Sequence, residues 1–166
     1  SSFIQNNNNI ISGNEFNGFT FNGIQINGTN NGNGSFWQIT NNSFYDTSAT
    51  TPQTAVWAAI NFLPGAGSGS VGNRITGNFI GGTQAQALGT PFTNNSNVTR
   101  VGIQFTTTVG ASNLIYGNQI RNFFFPVVTN TGAFTGIQLS GGVALIDSNF
   151  ISNILTFNNA VTIGIN

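Results

Sequence analysis

Apolar and polar residues alternate along this chain in two short phrases that recur in a fixed order. The first, Ile-x-x-Asn-x-(Phe/Ile), spans residues 11–16, 39–44, 75–80, 115–120 and 146–151, so that successive copies start 28, 36, 40 and 31 residues apart. The second, (Gly/Ala)-Ile-(Gln/Asn)-apolar, falls between copies of the first, at 23–26, 59–62, 102–105 and 136–139, and is cut short at 164–166. A constant phrase with spacers of variable length marks a repeat whose loops tolerate insertion. Period-two alternation bounded by Asn, Gly, Ser and Thr predicts short strands separated by turns. Helix is disfavoured because β-branched residues and Gly dominate while Glu, Lys and Leu are scarce. Each repeat therefore supplies two or three strands. The expected architecture is all-β, a single parallel β-solenoid of about five coils over residues 1–166, with loop insertions at its corners.

Stacking coils at about 4.8 Å places equivalent residues above one another. One inward ladder is then Ile11, Ile39, Ile75, Ile115 and Ile146, and a second is Phe16, Phe44, Ile80, Ile120 and Ile151. The second phrase adds Ile24, Ile60, Ile103, Ile137 and Ile165, and then Ile26, Phe62, Phe105 and Leu139. Asn14, Asn42, Asn78, Asn118 and Asn149 follow Gly13, Asn41, Gly77, Gly117 and Ser148, which marks a corner. Asn and Gly tolerate left-handed backbone there, and stacked Asn amides can bond along the axis, so the expectation is a structural Asn ladder.

Gln25, Asn61, Gln104, Gln138 and Asn166 make an outward rank on the second-phrase strand, read either as plain solvation or as a recognition strip for sugar or ice. Ice binding would favour regular Thr ranks, and the only Thr run, 106–108, lies in one coil. Residues 46–55 are variable loop material before the second phrase of their coil, and 64–72 and 81–99 read as protruding loops, where binding surfaces concentrate. Trp37, Tyr45, Trp57 and Phe92 are the aromatics least constrained by the ladders. Flat rings beside polar loops suit stacking on sugar, which makes Trp37, Tyr45 and Trp57 the candidate carbohydrate-binding residues.

Composition narrows the partners. Only six residues are charged, Glu15, Asp46, Arg74, Arg100, Arg121 and Asp147, which is 4% against a globular norm of roughly 25%. Nucleic acid and anionic lipid have nothing to attract them, and the three Arg read as solvated surface. No apolar run approaches the roughly 20 residues that cross a bilayer, so membrane insertion is not expected. Disorder is excluded by 16 Phe and regularly placed Ile. The chain has no Cys, Met, Lys or His, and no signal segment opens it, which reads as an excised or mature piece. The sequons at Asn27, Asn33, Asn41, Asn94 and Asn97 are expected by chance in so Asn-rich a chain.

Catalytic chemistry is hard to assemble from these residues. A glycosidase needs two carboxylates roughly 5 to 9.5 Å apart. Glu15 follows its corner Asn by one place and Asp46 by four, which leaves them about 10 Å apart sideways at roughly 3.3 Å per residue, with Asp147 several coils away. A lyase of this architecture would want clustered acids for Ca²⁺ and a Lys or Arg base. No His or Cys exists for zinc or for a nucleophilic triad. Neither a catalytic residue, a metal ligand nor a cofactor site is therefore expected.

The phrases Ile-x-Gly-Asn-x-Phe and Gly-Ile-Gln-Ile, with the stretches 41–45, 61–65 and 77–82, resemble the Asn/Gly/Thr-rich β-helix repeats of very large surface and secreted proteins of Bacteroidetes, many of them type 9 secretion cargo. The resemblance covers nearly the whole chain. It implies a right-handed, pectin-lyase-like parallel β-helix located outside the cell, and no catalytic position of the pectin lyases carries over. No capping helix is apparent at either end, so the expected partners are further coils of the same or a longer chain, or of an end-to-end fibre, with surface glycans as a further candidate. The expected role is a non-enzymatic stalk, adhesin or fibre segment. The alternatives are a carbohydrate-binding module or a fragment of a polysaccharide-active enzyme.

Overall fold

A computed structural model describes residues 7–28, 34–47, 57–64, 70–95, 97–107, 112–126, 133–156 and 162–166. Residues 48–55 and 65–69 of the expected loops, and the sequon at Asn33, lie outside the described residues. The chain folds into three parallel sheets, and each takes one strand in turn from every repeat. The first sheet contains β1 (Ile10–Ser12), β4 (Gln38–Thr40), β7 (Arg74–Thr76), β11 (Asn113–Tyr116) and β14 (Ala144–Asp147) in that order. The second contains β2 (Glu15–Asn17), β5 (Ser43–Tyr45), β8 (Phe79–Ile80), β12 (Gln119–Phe125) and β15 (Phe150–Thr156). The third contains β3 (Asn22–Gly28), β6 (Trp57–Pro64), β10 (Arg100–Thr106), β13 (Phe134–Gly141) and β16 (Thr162–Ile165). The protein is all-β, and sequence-ordered parallel stacking in all three sheets is consistent with a β-solenoid.

Strand register brings like residues together. Ile11 pairs with Ile39, Ile39 with Ile75, Ile75 with Ile115 and Ile115 with Ile146. Phe16, Phe44, Ile80, Ile120 and Ile151 align through the second sheet. Ile24, Ile60, Ile103, Ile137 and Ile165 align through the third. Apolar side chains from all three sheets meet in one core, in which the middle rungs are sealed and the outermost ones, such as Ile11 and Ile146, are partly open. Rings stack along it: Phe16 lies 4.8 Å from Phe44, and Phe62 lies 5.1 Å from Phe105.

The small residue that opens the second phrase has a steric cause. A Cβ on Gly102 would lie 2.5 Å from the Gly136 carbonyl oxygen and 3.0 Å from Ile120 Cδ1. A Cβ on Gly136 would meet Ile151 Cδ1 at 2.5 Å. Gly102→Val therefore forces backbone and core apart, and a loss of about 3 kcal/mol is expected in urea denaturation. Wild-type stability in that variant would show that the third sheet does not approach the second this closely.

The stretch 81–99 departs from the expected protruding loop. After β8 the chain makes a short 3₁₀ turn, Ala85–Ala87, that lies against β5, β8 and β12, with Ala87 fully enclosed. The Gln86 amide donates to Ser43 Oγ, and Asn122 Nδ2 donates to the Ala87 carbonyl. The chain then resumes its coil as β9 (Phe92–Thr93), paired with β12 at Phe123 and Phe124. An insertion that buries Ala87 and Phe92 is part of the packed body, because these apolar side chains gain more from burial than from projecting.

Candidate functional site

The most regular polar array is the corner column of asparagines. Each residue before a corner Asn has a left-handed backbone: Gly13, Asn41, Gly77, Gly117 and Ser148 show φ of 69°, 56°, 64°, 65° and 54°. That turn aims the next side chain along the coil axis. The Asn42 backbone N–H and Nδ2 both donate to Asn78 Oδ1, at 3.0 and 3.1 Å. Asn78 does the same to Asn118, at 3.0 and 2.9 Å, and Asn118 to Asn149. Asn14 donates likewise to Asn42. Each Nδ2 also donates backwards, from Asn42 to the Ile11 carbonyl, Asn78 to Ile39, Asn118 to Ile75 and Asn149 to Ile115. Asn42, Asn78 and Asn118 are wholly enclosed. From Asn42 to Asn118 the side-chain amides are spent on one another and on neighbouring carbonyls, so the column holds coils together and its enclosed rungs offer nothing to a ligand.

A second amide stack, one the phrases alone did not reveal, lies two residues before the first-sheet Ile. The Trp37 N–H donates to Asn73 Oδ1, and the Asn73 N–H and Nδ2 donate to Asn113 Oδ1. Extending the first phrase upstream to Asn-x-Ile, as in Asn73-Arg74-Ile75 and Asn113-Leu114-Ile115, is the signal that would have found it. A third contact joins Asn153 Nδ2 to Asn122 Oδ1, both residues having positive φ inside β15 and β12.

The candidate sugar-stacking aromatics separate. Trp57 is 2% exposed and Trp37 8%. Trp57 stacks between Phe19 at 5.0 Å and Phe92 at 5.6 Å, with Phe123 edge-on. These tryptophans, and Phe92 with them, are core residues and not binding platforms, because they pack into the same apolar cluster as the ladder residues. Tyr45 alone reaches the surface, where its hydroxyl donates to Glu15 Oε2 at 2.8 Å. That bond, with burial and the Glu15 charge adding less, raises the Tyr45 pKa above its usual value of about 10. Glu15→Ala should lower the midpoint of the Tyr45 phenol titration, followed by ultraviolet absorbance. An unmoved midpoint would mean that the pair does not form.

Arg100 corrects the expectation of solvated arginines. It is 1% exposed, its Nη2 donates to Asn94 Oδ1 at 2.9 Å, and its guanidinium lies 4.5 Å from the centroid of the Phe125 ring. Burial lowers its pKa to about 10, so the group keeps its charge at neutral pH. Asn94 is itself enclosed, which closes that sequon to a glycan. The acids stay apart: Glu15 lies on β2 against Tyr45, Asp46 is buried beyond β5, and Asp147 ends β14. Glu15 pairs with Ser43, three residues short of Asp46. Among the described residues no group of three or more His, Cys, Asp or Glu stands where it could hold a metal ion. No helix among them is long and apolar enough to cross a membrane.

A different polar face remains on the third sheet. Gln25 pairs with Asn61, Asn61 with Gln104 and Gln104 with Gln138. Asn166 follows Ile165, the register partner of Ile137, and the Leu139 N–H donates to its carbonyl. This rank is the outward amide column of the second phrase, aligned rung by rung. No protein-family model, curated protein or solved structure matches the chain.

Proposed function

We propose that this chain is a non-catalytic structural and adhesive segment, a right-handed parallel β-helix belonging to a large bacterial cell-surface protein, where it serves as stalk, adhesin or fibre component. Right-handedness is what the resemblance of the repeat phrases implies, and the strong preference of parallel crossovers for that hand supports it. The supporting observation is the unbroken corner column, in which every rung from Asn14 to Asn149 is bonded to its neighbour by side chain and backbone. Such a rod is held by neutral hydrogen bonds and apolar packing, so salt and pH outside a cell change its cohesion little. The separation of the three acids supports a non-enzymatic reading. An active site would need carboxylates supplied from elsewhere in a parent chain.

Export by the type 9 route and a Bacteroidetes source belong to the same proposal and rest on the repeat phrases. Deleting the segment from its parent gene, in frame, should impair surface attachment, movement on solids or fibre display. Cells that retain all three would overturn the assignment.

A further inference from the structure

Unlike the corner asparagines, the amide rank on the third sheet does not spend its hydrogen bonds on itself. Among the described residues no side-chain bond joins Gln25, Asn61, Gln104 and Gln138, although they stand on adjacent rungs in register. Asn61 Oδ1 is enclosed and has no hydrogen-bond partner. Stacked amides ordinarily bond one another along a sheet, as the corner asparagines do here. Gln25 is exposed and Gln104 and Gln138 are half-buried, so their amides, unspent on one another, are available to groups from outside.

We propose that this rank is a binding strip for a neutral, extended, hydroxyl-rich glycan lying along the coil axis. The inference rests on the adhesive reading above and gives it a ligand class. Each amide presents a donor and an acceptor, which matches the paired character of sugar hydroxyls. Coils repeat every 4.8 Å or so, and a β-1,4-linked glycan extends by a comparable step per sugar, so successive rungs address successive sugars. Two residues further along the strands stand Asn27, Leu63 and Thr106, with partly buried Leu63 offering apolar surface to a sugar ring. Neither set includes an ionisable group, which disfavours nucleic acid and acidic polysaccharide. The rank also has no aromatic or Arg anchor of the kind that dominates protein interfaces.

The test uses the purified chain with insoluble β-1,4-glucan and chitin in co-sedimentation, and with their soluble oligomers in calorimetric titration. Affinity should rise with oligomer length until the rank is spanned, and it should be insensitive to salt. Gln104→Ala combined with Gln138→Ala should weaken binding about ten-fold, the scale of losing one or two hydrogen-bonded contacts, with an unchanged melting temperature. Gln25→Ala, on an exposed side chain, provides a second variant should the double one fold poorly. Absence of binding to every neutral glycan, binding unaltered in the variants, or binding restricted to acidic polysaccharides would each overturn the strip. The in-frame deletion reads the scaffold role separately, so attachment lost in cells without glycan binding in vitro removes only this inference.

Discussion

Asn78→Ala is expected to destabilise the protein by about 4 kcal/mol, whereas Asn14→Ala in the same column should cost about 1 kcal/mol. Asn78 is fully buried and sits mid-column. Its Oδ1 accepts from the Asn42 N–H and Nδ2, and its Nδ2 donates to Asn118 Oδ1 and, at 2.8 Å, to the Ile39 carbonyl. Alanine keeps only the backbone donation to Asn118. Two Asn42 donors lose this acceptor and the Ile39 carbonyl loses its side-chain donor, at about 1–3 kcal/mol for each group left enclosed without a partner, less whatever a water molecule recovers. Asn14 has neighbours on one side only and is exposed, so solvent replaces what it loses. Urea denaturation of the two variants measures the difference. Equal losses would show that the column is decorative.

Asn78→Asp sharpens the test through pH. The carboxylate can accept from Asn42 but has no hydrogen for the Ile39 carbonyl or Asn118 Oδ1, so the folded state disfavours ionisation and its pKa rises above the ordinary value of about 3.9. With a raised folded pKa, the folded chain binds more protons than the unfolded one between the two values. Stability therefore grows as pH falls through the folded pKa, and levels off once the unfolded chain is protonated as well. Wild-type protein has no ionisable group in this column and should lack that gain.

The same column shows how much the sequence alone discloses. Where a phrase repeats in the middle coils the residue's environment repeats too: Ile39, Ile75 and Ile115 are sealed core rungs, and Gly13, Asn41, Gly77, Gly117 and Ser148 all take the left-handed turn. At the end of the third-sheet ladder, by contrast, Ile165, expected inward, is 53% exposed because no rung among the described residues covers it. Where a column mixes residue types, the sequence is silent. Trp57, Arg100 and Phe134 are register partners on the third sheet, but a cation stands between two aromatics of different size, so no phrase links them. Arg100 looked solvated because charge usually is, and its neighbours Asn94 and Phe125 come from an insertion and from another sheet. The Asn73 and Asn113 stack was hidden for a related reason. The corresponding position is Trp37 in the preceding coil and Ala144 in the following one. For the site, the outward amides were legible as a rank. That they do not bond one another depends on side-chain geometry, which alternation along a chain does not encode.

Trp57→Ala is expected to do damage on the same scale, about 4 kcal/mol, within the range for removing a large aromatic from a packed interior. The ring lies between Phe19 and Phe92 and meets Phe123 edge-on, so its loss opens a void bordered by a ring from the turn before β3 and by two rings from the second sheet. Phe92 and Phe123 belong to different strands and Phe19 to the turn between β2 and β3, and the rigid ladders on either side prevent collapse into the gap. Trp57→Phe should behave differently. Its smaller ring keeps part of the stacking, and it removes the indole Nε1, which is buried with no hydrogen-bond partner. A cost of about 1.5 kcal/mol or less is expected, because the lost contact area is offset by removal of an unpaired donor. Glycan affinity measured on the folded Trp57→Phe protein should match wild type, since the ring does not reach the surface. Indole fluorescence gives an independent check, for Trp37 and Trp57 should both resist a water-soluble quencher. Ready quenching together with a stable Trp57→Ala protein would return the tryptophans to the surface and make them binding candidates again.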